Sequence, residues 1–209
     1  IILLTKKYLP NCNRFRMFAR INNIMDKTPE QLKELKKLGV TYLDIGLESG
    51  DDETLKISNK GYTSAQALEQ LKKLEDAGID YFIAHLLGLA GHGNGERNAL
   101  NSVKLYNQLK VDGIGATNLI MYPESEFYAE IQRGEYAEAS ELEKLLELKV
   151  LLENLKTETM FTSAHASNLF SVTGNTPKDN QRMLKSLQEA IDSYDEKTMR
   201  FLRSMRRSL

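Results

Sequence analysis

The sequence predicts an α/β fold: a partial (β/α) barrel of about four parallel strands with a helical C-terminal extension. Three junctions carry that expectation. In each, a helical pattern ends in Gly and an apolar run follows at once. The junctions are Lys36-Lys37-Leu38-Gly39 before residues 40–47, Glu75-Asp76-Ala77-Gly78 before 79–87, and Lys110-Val111-Asp112-Gly113 before 114–121. Gly just past a helix relieves the left-handed C-cap position. An unbroken apolar run suits a strand covered on both faces, as parallel strands are.

Taken in order, the chain opens with a short helical stretch and a strand over 16–21. Thr28-Pro29-Glu30-Gln31 then offers an N-cap Thr, a Pro at the first helical position and a Gln able to close a capping box. Leu32, Leu35 and Leu38 mark the apolar face of that helix. Thr63-Ser64-Ala65-Gln66 repeats the box, and Leu68, Leu71 and Leu74 repeat the face. A third helix is predicted over 96–109. After residue 121 the pattern changes. Pro123 begins a helical stretch, and a long amphipathic helix follows over 139–155, with Leu142, Leu145, Leu146, Lys149 and Leu152 as its core stripe. An irregular segment over 161–176 precedes two helices, 177–192 and 195–207. Residues 1–134 thus read as the α/β core and 135–209 as a helical extension packed on it. The strand spacing suits right-handed βαβ crossovers.

Four strands do not close a (β/α)₈ barrel, and open edges invite pairing. Missing sequence, a partner or self-association through the open barrel edge is therefore expected, and the absence of an initial Met leads to the same expectation of sequence upstream.

Composition narrows the function classes. The 209 residues carry a net charge of -1, with 41% hydrophobic and 27% charged residues, as an ordinary globular domain does. That balance gives no case for nucleic acid as the main partner. No apolar run approaches the roughly 18 residues of a membrane span, and the start lacks the n-region of a signal peptide. The one cysteine, Cys12, cannot form an internal disulfide, so a cytoplasmic setting is expected. Alone it cannot ligate a cluster.

Ligands of parallel α/β folds bind at the carboxyl ends of strands. Glu48, between Gly46 and Gly50 at such an end, can accept hydrogen bonds from a ribose or an ammonium group, or can cap and salt-bridge locally. The loop 88–95 contains Gly88, Gly91, Gly93 and Gly95 and opens a helix, so its amides could cradle an anion or simply make a tight turn. It matches neither a Walker loop nor a dinucleotide fingerprint. His85 reads as a satisfied core or surface histidine, His92 as solvated, and His165 as part of an irregular polar stretch. The three lack metal-ligand spacing. Arg200, Arg203, Arg206 and Arg207 read as a solvated basic face that complements the dipole of a terminal helix.

Gly46-Leu47-Glu48-Ser49-Gly50-Asp51-Asp52-Glu53-Thr54-Leu55-Lys56, followed by Asn59-Lys60-Gly61-Tyr62-Thr63, resembles the fourth-strand motif of the radical S-adenosylmethionine (SAM) superfamily. Ala84-His85-Leu86-Leu87-Gly88-Leu89-Ala90-Gly91 resembles its fifth-strand Gly-x-Ile-x-Gly motif, with Ala84 in place of the first Gly. His165-Ala166-Ser167-Asn168-Leu169 and Gly174-Asn175-Thr176-Pro177-Lys178-Asp179 resemble a group of Fe–S oxidoreductase-like proteins within the superfamily. The resemblance implies that Glu48 and Ser49 contact the ribose or amino group of SAM. It implies that the backbone at Leu87 and Gly88 borders the adenine, and that Arg20 and Asn22 point into the barrel. The strands would be the third to sixth of the family barrel. The intact enzymes hold a [4Fe–4S] cluster on Cys-x₃-Cys-x₂-Cys and generate a 5′-deoxyadenosyl radical for hydrogen abstraction. That motif is not in these residues, so this chain alone is expected to be inactive and to bind neither SAM nor cluster. The alternatives are a cluster-less barrel serving as a binding or scaffold module, and an unrelated barrel fragment that binds a phosphorylated metabolite at 88–95.

Overall fold

The computed structural model describes residues 1–205. In chain order the elements are α1 (Ile2–Tyr8), β1 (Phe15–Ala19), α2 (Ile21–Met25), α3 (Pro29–Lys37), β2 (Val40–Glu48), α4 (Asp52–Ile57), α5 (Ser64–Asp76) and β3 (Asp80–Leu87). They continue as α6 (Gly95–Tyr106), β4 (Gly113–Asn118), α7 (Glu126–Arg133), α8 (Glu141–Asn154), β5 (Thr159–Thr162), β6 (Thr173–Thr176), α9 (Asn180–Ser193) and α10 (Glu196–Met205). Arg206 and Arg207 of the expected basic face lie outside the described residues.

One six-stranded sheet holds the molecule together, in the order β1-β2-β3-β4-β5-β6. β1 to β5 are parallel, and β6 returns antiparallel to β5. The α/β expectation holds, and the sheet is larger than the four strands the sequence suggested. The segment expected to be irregular, 161–176, overlaps both extra strands. Their short polar sequences, Thr-Met-Phe-Thr and Thr-Gly-Asn-Thr, carry no apolar run, and pairing alone makes them strands. β1 and β6 form the two edges. α1 buries none of its residues, and Leu3, Leu4, Tyr8 and Leu9 are exposed beside the β1 end of the chain.

The local signals explain the helices. Thr28 accepts a hydrogen bond from the Gln31 amide while the Gln31 side chain accepts one from the Thr28 amide, and Thr63 and Gln66 do the same for α5. Gly39 (φ 102°) and Gly78 (φ 69°) adopt the left-handed backbone expected after α3 and α5. The third glycine does a different job. Gly113 opens β4 several residues after α6 ends, and a Cβ there would sit 2.6 Å from the Phe82 ring. It makes room for a side chain rather than relieving a turn.

The core lies between the sheet and the helices. Leu43, Ile45 and Leu47 of β2 and Tyr81, Ile83, His85 and Leu87 of β3 are buried on the helix side. Alternate residues face the other, concave side and are only partly covered. The strands are therefore not buried equally on both faces. α6 packs along α8, which also contacts α9 and α10. The α8 stripe is rotated from its predicted position. Leu145 and Leu152 are buried, Leu142 lies at the margin of the core, and Leu146 is exposed. Among the described residues, no helix is long and apolar enough to cross a membrane.

Candidate functional site

β2 ends in an unusual backbone. Glu48 has φ 69°, a left-handed value that a side chain disfavours. The turn leaves Leu47 in the core and Glu48 on the concave side, where its Oε2 lies 2.5 Å from Lys60 Nζ. Lys60 sits on the tight turn between α4 and α5, and the Asn22 side chain donates to the Lys60 carbonyl at 3.4 Å. Beneath them, the Tyr62 hydroxyl donates to the Leu47 carbonyl at 3.2 Å. Burial, and then the Glu48 carboxylate, push the Tyr62 phenol well above its ordinary pKa, so it stays a donor.

A recess of about 310 Å³ opens beside Glu48. Phe18, Ala19, Arg20 and Asn23 line one wall, and Asp44, Gly46 and Glu48 line the other. Arg20 is exposed, and its amide donates to Asn23 Oδ1 at 2.9 Å. Deeper on the concave face the Arg16 guanidinium grips both Asp44 oxygens, at 2.5 and 2.6 Å, and lies over the Tyr42 ring at 4.5 Å.

The residues named from sequence fall into two groups. Glu48 and Arg20 line the recess. Asn22 supports the turn that carries Lys60, and its neighbour Asn23 lines the wall instead. Ser49, Leu87 and Gly88 turn to the helix side. Ser49 is fully buried, and its hydroxyl donates to Asn98 Oδ1 at 2.5 Å. The Leu87 side chain is in the core, and its carbonyl accepts the Leu119 amide. The Gly88 amide donates to Glu147 Oε2 at 2.8 Å, and its carbonyl accepts from the Tyr136 hydroxyl at 2.8 Å. Sequence reasoning missed Asn23 and Asp44. Alternation pointed to Asp44, which shares a strand face with Glu48.

The glycine loop is not an anion cradle. Its amides already face the protein's own carboxylates: Gly88 donates to Glu147, and Gly93 donates to Glu143 at 2.7 Å. Burial alone would raise the Glu143 pKa, but the Ser140 and Gly93 amides and His92 outweigh it and lower the value to about 2. An incoming phosphate would have to displace the Glu147 and Glu143 side chains from these amides, which counts against the reading of 88–95 as a phosphate site. His85 is a core residue, as expected, but it is satisfied at Nδ1 only, and His92 pairs with Glu143. His165 is exposed, with Nδ1 held by Ser167. Among the described residues no three His, Cys, Asp or Glu side chains are grouped to hold a metal ion.

Comparison with known proteins agrees with this architecture. The sequence matches the radical SAM superfamily over residues 1–106. Elp3 of the archaeon Methanocaldococcus infernus, solved with an N-terminal deletion (1–46), is similar in structure, with a TM-score of 0.62 at 16% identity. The match covers 86% of this chain and 42% of that one. TsrM of Kitasatospora setae, a radical SAM methyltransferase solved with cobalamin and a [4Fe–4S] cluster, gives 0.50 at 19% identity, covering 64% of this chain and 24% of that one. The chain thus spans less than half the length of either structure. No curated protein matches the sequence. At these identities the structures speak for the fold alone, a partial barrel of the kind both contain. The family match covers half of the chain, with the Glu48 motif inside it, and this chain belongs to the radical SAM superfamily.

Proposed function

We propose that this chain forms the SAM-binding side of a radical SAM oxidoreductase, with Glu48 receiving the amino group or ribose of SAM and Arg20 and Asn23 flanking it. One observation carries the reading. The left-handed Glu48 backbone is a conformation that costs about 1–3 kcal/mol in a non-glycine residue. That strain aims a carboxylate into a recess at the carboxyl ends of parallel strands. Lys60 holds the carboxylate in place, and the buried Tyr62 hydroxyl fixes the strand end behind it. SAM bound there supplies the 5′-deoxyadenosyl radical with which the superfamily abstracts hydrogen. The chain's own residues bind and orient it.

The residues present do not fit the cluster. A cluster takes several thiolates, and Cys12 lies in the loop before β1, at the opposite end of the strands from Glu48. This reading therefore draws its thiolates from outside these 209 residues, and no step through a cluster is assigned to them. The isolation of Cys12 also favours a second reading, a cluster-less barrel acting as a binding or scaffold module. Calorimetry with SAM on the anaerobically purified gene product, with iron measured alongside, tests both. Glu48→Ala should weaken SAM about 10- to 100-fold, the loss of a hydrogen bond to a charged group. Unchanged affinity removes Glu48 from the site, and an iron-free wild-type protein decides for the scaffold reading.

A further inference from the structure

Glu147 of α8 lies outside the stretch that matches the superfamily, yet it is almost fully buried behind the recess. Two donors hold its carboxylate. The Gly88 amide reaches Oε2 at 2.8 Å and the Asn98 side-chain NH₂ reaches Oε1 at 2.6 Å. His85 Nε2 lies 3.5 Å from Oε1 and makes no hydrogen bond.

Followed outward, the Asn98 arm leads to the turn after β2. Asn98 Oδ1 accepts the Ser49 hydroxyl, which in turn accepts the Asp51 amide at 2.9 Å. Ser49 and Gly50 follow Glu48 directly. A continuous chain of hydrogen bonds, Ser49–Asn98–Glu147–Gly88, therefore joins the turn that sets the Glu48 backbone to the turn after β3. Its bonds run toward the carboxylate from both turns. Beside this chain, His85 Nδ1 lies 2.9 Å from the Tyr106 hydroxyl, and burial pushes the Tyr106 phenol far above its ordinary pKa. The Ser102 oxygen accepts the Gly50 amide at 2.8 Å. Gly50 cannot slide out of this turn, because a Cβ there would already lie 2.7 Å from Ser102 Cα.

We infer that Glu147 is the positioning residue of the site. As a buried acceptor for the Gly88 amide and the Asn98 side chain, it ties the turn after β3 to the turn after β2 and thereby fixes the direction of Glu48. A buried carboxylate is tolerable only when fully hydrogen-bonded, so each donor is held as firmly as the carboxylate needs it. The inference rests on the proposed role of Glu48, but its first test contains no SAM. In the 209-residue chain, Glu147→Gln sets an NH₂ group against one of the donors. Amide exchange at Gly50 and Gly88 should accelerate about tenfold or more, with β1 amides unchanged. Glu147→Asp keeps the carboxylate and should recover part of the protection. The milder Asn98→Ala cuts the link between the two turns and should free Gly50 while leaving Gly88 protected, which keeps the test valid if Glu147→Gln folds poorly. Equal acceleration across the sheet, or an unaltered Gly50 amide, would overturn the inference. In the gene product, Glu147→Gln should weaken SAM about tenfold beside Glu48 and add nothing to Glu48→Ala. Additive losses would mean that Glu147 does not act through Glu48. If Glu48→Ala proves harmless, the recess reading fails while the exchange result still stands or falls alone.

Discussion

On the helix side of the sheet, Ile45, Ile83 and Leu87 are buried in the core, and polar groups among them join in a chain of hydrogen bonds, Ser49–Asn98–Glu147–Gly88. On the concave side, β1 and β2 carry Arg16, Phe18, Asp44 and Glu48. Phe18 is 91% exposed in the middle of β1, while Ile83 in β3 is fully buried. Both sit on apolar strands, so residue type does not separate them. What separates them is whether a crossover helix lies above. The helix side is a finished core in which every position is fixed by its neighbours. The concave side is a surface whose side chains are held by ion pairs and by each other, as a ligand-binding face needs to be.

Four substitutions can sharpen or break that contrast. Ile83→Ala should have the largest effect, destabilising by about 2–5 kcal/mol in chemical denaturation because a cavity remains in a packed core. Phe18→Ala, the matching change on the open side, should stay within about 0.5 kcal/mol. A Phe18 cost equal to that of Ile83 would mean that something covers the concave face in solution, such as a second copy paired along the β1 edge. Gly115→Ala tests the one well-packed spot of that face. A Cβ there would meet the Phe82 ring at 2.6 Å, and displacing the ring should cost about 1–3 kcal/mol. A neutral result would show that Phe82 moves as freely as Phe18. The rim between the faces adds a pH-dependent test. Glu143→Gln should lower stability by about 1 kcal/mol near neutral pH. Glu143 is depressed from its ordinary 4.5 to about 2, so its contribution is complete above 4.5 and is lost as pH falls toward 2. Melting curves of the two proteins should therefore converge over that interval. A gap that persists at pH 2 would separate the effect from ionisation.

The sequence was most legible where the physics is local. The Thr28 and Thr63 capping boxes and the glycines after α3 and α5 need only a few adjacent residues, and each forms as read. Glu48 was legible for a different reason: its surrounding string is specific enough to name a family. β5 and β6 were not legible, because four polar residues become a strand only when a partner edge is present. Glu147 was hidden among the acidic residues of α8, where one more carboxylate reads as solvent-facing. Only the packing of α8 against α6 turns it inward. The α8 stripe was rotated for the same reason. Buried Lys144, with Glu138 and Glu141 as its partners, takes core-side space that an apolar count assigns to leucines.

The order of the strands has a consequence for synthesis. Each strand from β2 to β5 pairs with the strand translated just before it. As residues leave the ribosome in sequence, an emerging parallel strand always finds its neighbour already made, and the sheet can be laid down from one edge to the other. The hydrogen-bonded chain behind Glu48 obeys a different clock. Ser49, Gly50 and Gly88 emerge early, but the carboxylate they depend on arrives only with α8, after four strands have been translated. In the growing polypeptide the scaffold precedes the geometry it is built to hold, and the turn beside Glu48 cannot set until residue 147 has left the tunnel.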